Sequence, residues 1–184
     1  FVIFLFGMNK VNEKSVCKNN STEINSSVSG ANTEAPGFAL IELFTSEGCS
    51  SCPPADDLVN KLSKENKKNV IILSYHVDYW NRLGWPDKFS KAEFTKRQQD
   101  YAAHFNKDGV YTPQIVVNGK AEFVGSDAKK LNNAIAGNVN AAYTSSIVLS
   151  ATATEKNIKV AFENKQSKSG SLNIALVQLS GASQ

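Results

Sequence analysis

The sequence predicts an α/β fold, a central mixed sheet flanked by helices, with a helical insertion and a partial β appendage at the C-terminal end. Three features of the chain lead there. Residues 38–45 and 70–77 are short, almost unbroken apolar runs of the kind that form strands buried on both faces, and a helix pattern lies between them. Asn118-Gly119 separates two further strand-like runs, the strongest short-range signal for a hairpin. Beyond it, Leu131, Ile135 and Val139 recur at the spacing of one helix face.

The first strand, Phe38 to Thr45, runs toward a helix expected over residues 53–67. Pro53 and Pro54 suit a first turn, where backbone N–H groups lack partners in any case. Asp56 and Asp57 suit its positive end, and Lys64, Lys67 and Lys68 its negative end, while Leu58 and Leu62 share a face. The second strand, Val70 to Val77, follows so closely that the two strands should be parallel neighbours. Residues 78–106 break at Gly84 and Pro86 and then turn helical through Ala92, Phe94, Arg97, Tyr101 and Phe105, an insertion of one or two helices. Gln114 to Val117 and Ala121 to Val124 form the hairpin, and a helix from about Asp127 to Ala142 closes the core. Ile147 to Ala153, Ile158 to Phe162 and Leu172 to Leu179 then read as strands of the appendage.

At 184 residues, 41% apolar and 20% charged, the chain has the composition of one globular domain with appendages. The formal charge of +3 is small and the lysines are scattered, which argues against a nucleic-acid partner. Phe1 to Phe6 is too short to span a bilayer, which takes about 20 apolar residues. Followed by a polar Asn/Ser-rich stretch, it resembles the apolar region of a secretory signal peptide with its front removed, a buried N-terminal strand being the plainer alternative. Residues 1–36 are therefore expected to be a signal-peptide remnant and flexible tether, residues 37–143 the main domain, and residues 144–184 the start of a β appendage that continues further. The expected location is outside the cytoplasm, periplasmic or extracellular, without an integral span in the mature chain. A membrane tether stays open, since Cys17 could carry a lipid or be a spare thiol.

Cys49 and Cys52, the other two of three cysteines, carry the chemistry. Their C-x-x-C spacing behind a strand and before a helix is the redox signature of a thioredoxin-like fold. A cysteine at a helix start faces unpaired N–H groups and the positive end of the helix dipole, which favour thiolate over thiol. Cys49 is expected there as the attacking thiol, with Cys52 one turn further in as the shielded resolving thiol, and Asp56 and Asp57 opposing the activation. Pro113, in Tyr111-Thr112-Pro113, stands directly before the hairpin, where a proline needs a special reason because it lacks an N–H for the sheet. The thioredoxin resemblance implies that this proline is cis, lies against the C-x-x-C, and that Thr112 offers its backbone to a substrate chain. His76 and Asp78 end the second strand and should emerge on the same sheet edge as Cys49, as supporting groups. A histidine satisfied by Asp78 among aromatic residues is the plainer alternative. His104 reads as surface, and Tyr79, Trp80, Trp85 and Phe89 as core of the insertion or walls of the site.

Longer strings sharpen the resemblance. Leu43 through Asp56, His76-Val77-Asp78-Tyr79-Trp80, Gly84-Trp85, Arg97-Gln98 and Tyr111-Thr112-Pro113-Gln114 are similar to a family of exported bacterial proteins known as domain of unknown function 1223. The likeness covers about residues 38–140 and implies a thioredoxin-like fold without naming a reaction. An ion pair inside the insertion is the expected role of Arg97. Three functions fit: thiol–disulfide exchange with an exported protein thiol or disulfide as partner, no cofactor being needed; soft-metal (copper) binding through Cys49, Cys52 and His76; and a structural disulfide in a binding module.

Overall fold

Alternation along one strand decides what lies on either side of the sheet. In the computed structural model, which describes residues 2–6, 35–65, 67–143, 147–154, 157–164 and 172–176, Ala39–Thr45 (β1) is buried at every position. Ala39, Ile41 and Leu43 join one apolar cluster, and Phe44 joins the other. The Phe38–Thr45 run looked almost wholly apolar because both faces are covered.

The helix Pro53–Lys64 (α1) and the strand Val70–His76 (β2) follow. β2 runs parallel to β1, from Ala39 beside Val70 to Thr45 beside His76. α1 ends at Lys64, earlier than expected, because a turn closed by Val70 N donating to Lys67 O at 3.0 Å takes up the residues before β2. The insertion contains a single turn of 3₁₀ helix, Asn81–Leu83, and the helix Ala92–His104 (α2).

Gln114–Val117 (β3) and Ala121–Val124 (β4) form the expected hairpin. Its turn places Asn118 at φ 50° and Gly119 at φ 64°, the left-handed region that this residue pair tolerates. β3 lies antiparallel to β1 on the side away from β2, so the four-stranded mixed sheet has the order β2-β1-β3-β4. The helix Ala128–Val139 (α3) is capped by Asp127, whose carboxylate accepts from Lys130 N at 3.0 Å.

Residues of α1 and α3 (Ala55, Val59, Leu62, Leu131, Ile135) bury against Ile41, Leu43, Ile115 and Val117 on one face. Tyr101 of α2 and Tyr75, Tyr79, Trp80 and Phe105 pack against Phe44, Val77 and Val116 on the other. Glu42 shares that second face and is fully buried. Arg97 of α2 meets it, Nε to Oε2 at 2.5 Å. The ion pair expected inside the insertion thus ties the insertion to the central strand instead.

The chain divides into Pro36–Tyr143 and a second unit drawn from its two ends, Phe1–Ala35 with Thr144–Gln184. In the second unit Ile147–Ala153 pairs antiparallel with Ile158–Asn164. The apolar run at the start of the chain, read as a leader remnant, forms the strand Val2–Phe6 antiparallel to Leu172–Leu176. Residues 7–34, which hold most of the expected tether and Cys17, lie outside the described residues.

Candidate active site

Beyond β1 the chain makes two turns before α1: Cys49 N donates to Ser46 O at 3.1 Å and Cys52 N to Cys49 O at 3.2 Å. Cys49 and Cys52 form a disulfide with a Cα–Cα distance of 5.4 Å. Cys52 is the N-cap of α1, so the expectation of Cys49 at the helix start and Cys52 a turn inside is corrected. The reason is local: Pro53 and Pro54 begin the helix and fix its first residue. They carry no N–H, and the next two, on Ala55 and Asp56, already donate to Cys52 O at 2.9 and 3.1 Å. The first turn therefore offers no unbonded N–H to either sulfur. Cys49 is also more covered than expected, at 2% exposed against 0% for Cys52.

Thr112 reaches Cys49, as expected of the segment before Pro113, but with its side chain: its hydroxyl lies 3.2 Å from Cys49 Sγ. Trp80 Nε1 donates to the same hydroxyl at 2.8 Å, a partner that sequence reasoning assigned only to walls or core. Ser51 Oγ lies 3.6 Å from Cys49 Sγ and donates to Thr112 O at 3.4 Å. The Thr112–Pro113 peptide bond is cis. Behind it, Gln98, fully buried on α2, donates through Nε2 to Tyr111 O at 2.7 Å and to Gln114 Oε1 at 2.9 Å. Gln98 was singled out by resemblance alone; a buried glutamine on a mostly polar helix is invisible until the packing is known.

His76 and Asp78 part company. Asp78 Oδ1 accepts from Thr95 Oγ1 at 2.5 Å, and Thr95 Oγ1 accepts from Asp78 N at 3.1 Å, which places Asp78 on the first turns of α2 rather than at the disulfide. His76 Nδ1 meets Asp87 Oδ2 at 2.6 Å, and that oxygen also accepts from Glu47 N at 2.8 Å, so His76 reaches the loop before Cys49 through Asp87. Asp87 was missed, its only signal being a carboxylate directly after the Trp85-Pro86 break. Trp85 was expected largely as core and is instead 62% exposed, its Nε1 donating to Glu47 Oε2 at 3.1 Å. His104 is exposed, as expected.

The soft-metal set of Cys49, Cys52 and His76 would need the disulfide reduced and His76 turned from Asp87. Among the described residues no group of three or more His, Cys, Asp or Glu side chains is placed to hold a metal ion.

Residues 40–184 match the family described as protein of unknown function (DUF1223). The chain belongs to that family. A crystal structure of a protein from Agrobacterium tumefaciens is similar at 33% identity and a TM-score of 0.57, covering 70% of this chain and 57% of the other. The chain thus spans less than two thirds of that protein's length. No match is found among curated proteins. No helix among the described residues is long and apolar enough to cross a membrane.

In this DUF1223 chain two carboxylates near the pair are shifted in opposite directions. Burial raises Asp56 above its ordinary value, only partly offset by the Thr45 hydroxyl that donates to it at 3.2 Å. Burial would likewise raise Asp87, but hydrogen bonds from Glu47 N, His76 and Phe89 N outweigh it and hold the carboxyl below its ordinary 3.8. The unfolded chain then takes up the proton first as acid is added. Stability from Asp87 is full well above 3.8 and is lost as pH falls toward and through the lower folded-state value. Asp87→Asn is expected to flatten this acid limb in urea unfolding followed across a pH series. Identical acid limbs in the two proteins would rule Asp87 out as the group responsible.

Proposed function

We propose that this protein is a thioredoxin-like thiol–disulfide oxidoreductase that works outside the cytoplasm, where a disulfide persists. The strand order β2-β1-β3-β4, with only β3 antiparallel to β1 at the centre and the cysteine pair between β1 and α1, supports that fold. The observation that carries the chemistry is the 3.2 Å contact between the Thr112 hydroxyl and Cys49 Sγ, which sets the segment before Pro113 against the disulfide. In the reducing direction Cys49 thiolate attacks a substrate disulfide, breaking its S–S bond, forming a mixed disulfide and releasing one substrate thiolate. Cys52 thiolate then attacks Cys49 Sγ, releasing the second substrate thiolate and forming the Cys49–Cys52 bond. The substrate disulfide is reduced by two electrons and the protein dithiol oxidised; the reverse sequence oxidises a substrate dithiol. Thr112 and Pro113 hold the substrate chain, and His76 supports the preceding loop through Asp87.

The test is insulin reduction driven by dithiothreitol, with non-reducing mass spectrometry of single-cysteine variants. The wild-type protein should accelerate the reaction and Cys49→Ala should abolish the acceleration. Cys52→Ala, reduced beforehand and freed of dithiothreitol, should form with insulin a covalent complex that reduction dissolves. The near-complete burial of both cysteines favours a second reading, a structural disulfide. Under it both variants would stay folded and trap equally little, and the reduction potential would lie below about −300 mV.

A further inference from the structure

The hydroxyl of Thr112 has one proton and sits among an indole N–H that can only donate, the Tyr79 hydroxyl and a sulfur. Trp80 Nε1–H, 2.8 Å away, is a donor with no acceptor capacity. It takes one lone pair of the oxygen, and the hydroxyl proton lies along the 3.2 Å contact with Cys49 Sγ, the Tyr79 hydroxyl being the competing acceptor. The indole is itself held in place. Trp80 is half-buried, caps the 3₁₀ turn Asn81–Leu83, and lies so close to the loop that a Cβ on Gly48 would come within 3.3 Å of its own. The backbone just before Thr112 is held by Gln98, whose Nε2 donates to Tyr111 O at 2.7 Å.

We propose that Trp80 is a positioning residue that sets the nucleophilicity of Cys49 by aiming the Thr112 hydroxyl proton at its sulfur. The proposal rests on the exchange reading above for its use, though not for its test. When the disulfide is reduced, Cys49 Sγ can carry a full negative charge, and the Thr112 O–H···S contact becomes charge-assisted. It then favours thiolate over thiol. In most helix-start cysteines this task falls to free backbone N–H groups. Here Pro53 and Pro54 have none, and those of Ala55 and Asp56 are engaged by Cys52 O. The hydroxyl takes over that task, and the indole keeps it from rotating to solvent. A thiolate held in this way leaves more readily from a mixed disulfide and makes the protein disulfide more oxidising.

Ser51 Oγ is the other hydroxyl near Cys49, but at 3.6 Å from the sulfur it is the more distant, and its proton is directed at Thr112 O. The other titratable groups near this end of the sheet are Tyr79, which shares the Thr112 hydroxyl, Asp56 and Asp57 from α1, Glu47 and Asp87 from the loops, and His76 from β2. They are common to all variants compared, so differences between variants isolate the hydroxyl and its orientation.

The experiment is a pH titration of the thiolate absorbance of Cys49 in a Cys17→Ser, Cys52→Ala background, where one thiol remains. Thr112→Val should raise the Cys49 pKa by roughly one unit, a tenfold loss of thiolate at a pH below it. Thr112→Ser should restore the parent value. Trp80→Phe, which keeps an aromatic side chain but removes the N–H together with the pyrrole half of the indole, should raise the pKa by a smaller amount, and should add nothing once Thr112 is Val. Ser51→Ala should shift it less than Thr112→Val. An unchanged pKa in folded Thr112→Val and Trp80→Phe, judged by circular dichroism, overturns the relay. So does a Trp80→Phe effect that persists undiminished in the Thr112→Val background. The exchange reading stands or falls separately: the relay can hold in a protein that fails to reduce insulin, and fail in one that succeeds.

Discussion

Arg97→Met is expected to cost about 3–5 kcal/mol of folding stability, because it leaves the Glu42 carboxylate buried without its counter-charge. Glu42 is 0% exposed in the central strand, and besides Arg97 Nε at 2.5 Å it is met by the Tyr101 hydroxyl at 2.6 Å. The guanidinium also stacks between the rings of Tyr75 and Tyr101, at 5.4 and 5.2 Å from their centroids, so its stem and plane are packed as well as paired. Burial and the neighbouring Glu42 charge already push the Tyr75 hydroxyl up to about 12, which shows how far this face excludes water and holds negative charge. Urea unfolding gives the measurement. The double variant Glu42→Leu, Arg97→Met should recover most of the loss, since an apolar pair of similar volume in place of a buried ion pair is often neutral or better. A loss below about 1 kcal/mol in Arg97→Met would mean that the pair is solvated like a surface one.

Gly125→Ala is expected to cost about 1–3 kcal/mol by overpacking, and to disturb the disulfide site as well. A Cβ at Gly125 would lie 3.0 Å from Ala55 Cβ, 3.1 Å from Pro113 Cβ and 3.2 Å from Leu43 Cδ1, with each neighbour fixed by its own element. Ala55 belongs to the first turn of α1, Leu43 to β1, and Pro113 is tied to the same glycine by Gly125 N donating to Pro113 O at 2.9 Å. The wedge must part the start of α1 from the Thr112–Pro113 segment. Slower insulin reduction alongside the lower stability is the expected result, and a matching rise in the Cys49 pKa would show that Thr112 has moved from the sulfur. Full stability in Gly125→Ala would mean that the Pro113 segment yields without cost and is less closely held than these distances imply.

Elements whose signals are local were legible in the sequence. β1 and the hairpin strands were marked by runs of apolar residues, the turn by Asn118-Gly119, the start of α1 by Pro53 and Pro54, and that of α3 by Asp127. Each reports a preference of the backbone within a few residues of itself, and such preferences survive into the folded chain when they agree with one another. The C-x-x-C spacing belongs to the same class, which is why the cysteine pair was found. The ends of helices were less legible: α1 stops at Lys64 because the connection to β2 has to fit the sheet, a requirement no residue near Lys64 announces.

What only the tertiary structure decided is which side chains meet across long stretches of chain. Asp78 is closer to His76 in sequence than Asp87, yet β2 ends at His76 and the chain turns toward α2, carrying Asp78 to Thr95 and leaving His76 to Asp87. Arg97 finds Glu42 and Trp80 finds Thr112 for the same kind of reason: α2 and the 3₁₀ turn are laid over one face of the sheet, and sequence separation has no bearing on which groups that brings together. The sequence by itself determined that a cysteine pair would stand between the first strand and the first helix. The packing of the insertion over the sheet determined that Cys49 is covered, that its hydroxyl partner is Thr112, and that an indole N–H stands behind that hydroxyl, because hydrogen-bond partners are chosen by direction and distance in space, which only the folded chain supplies.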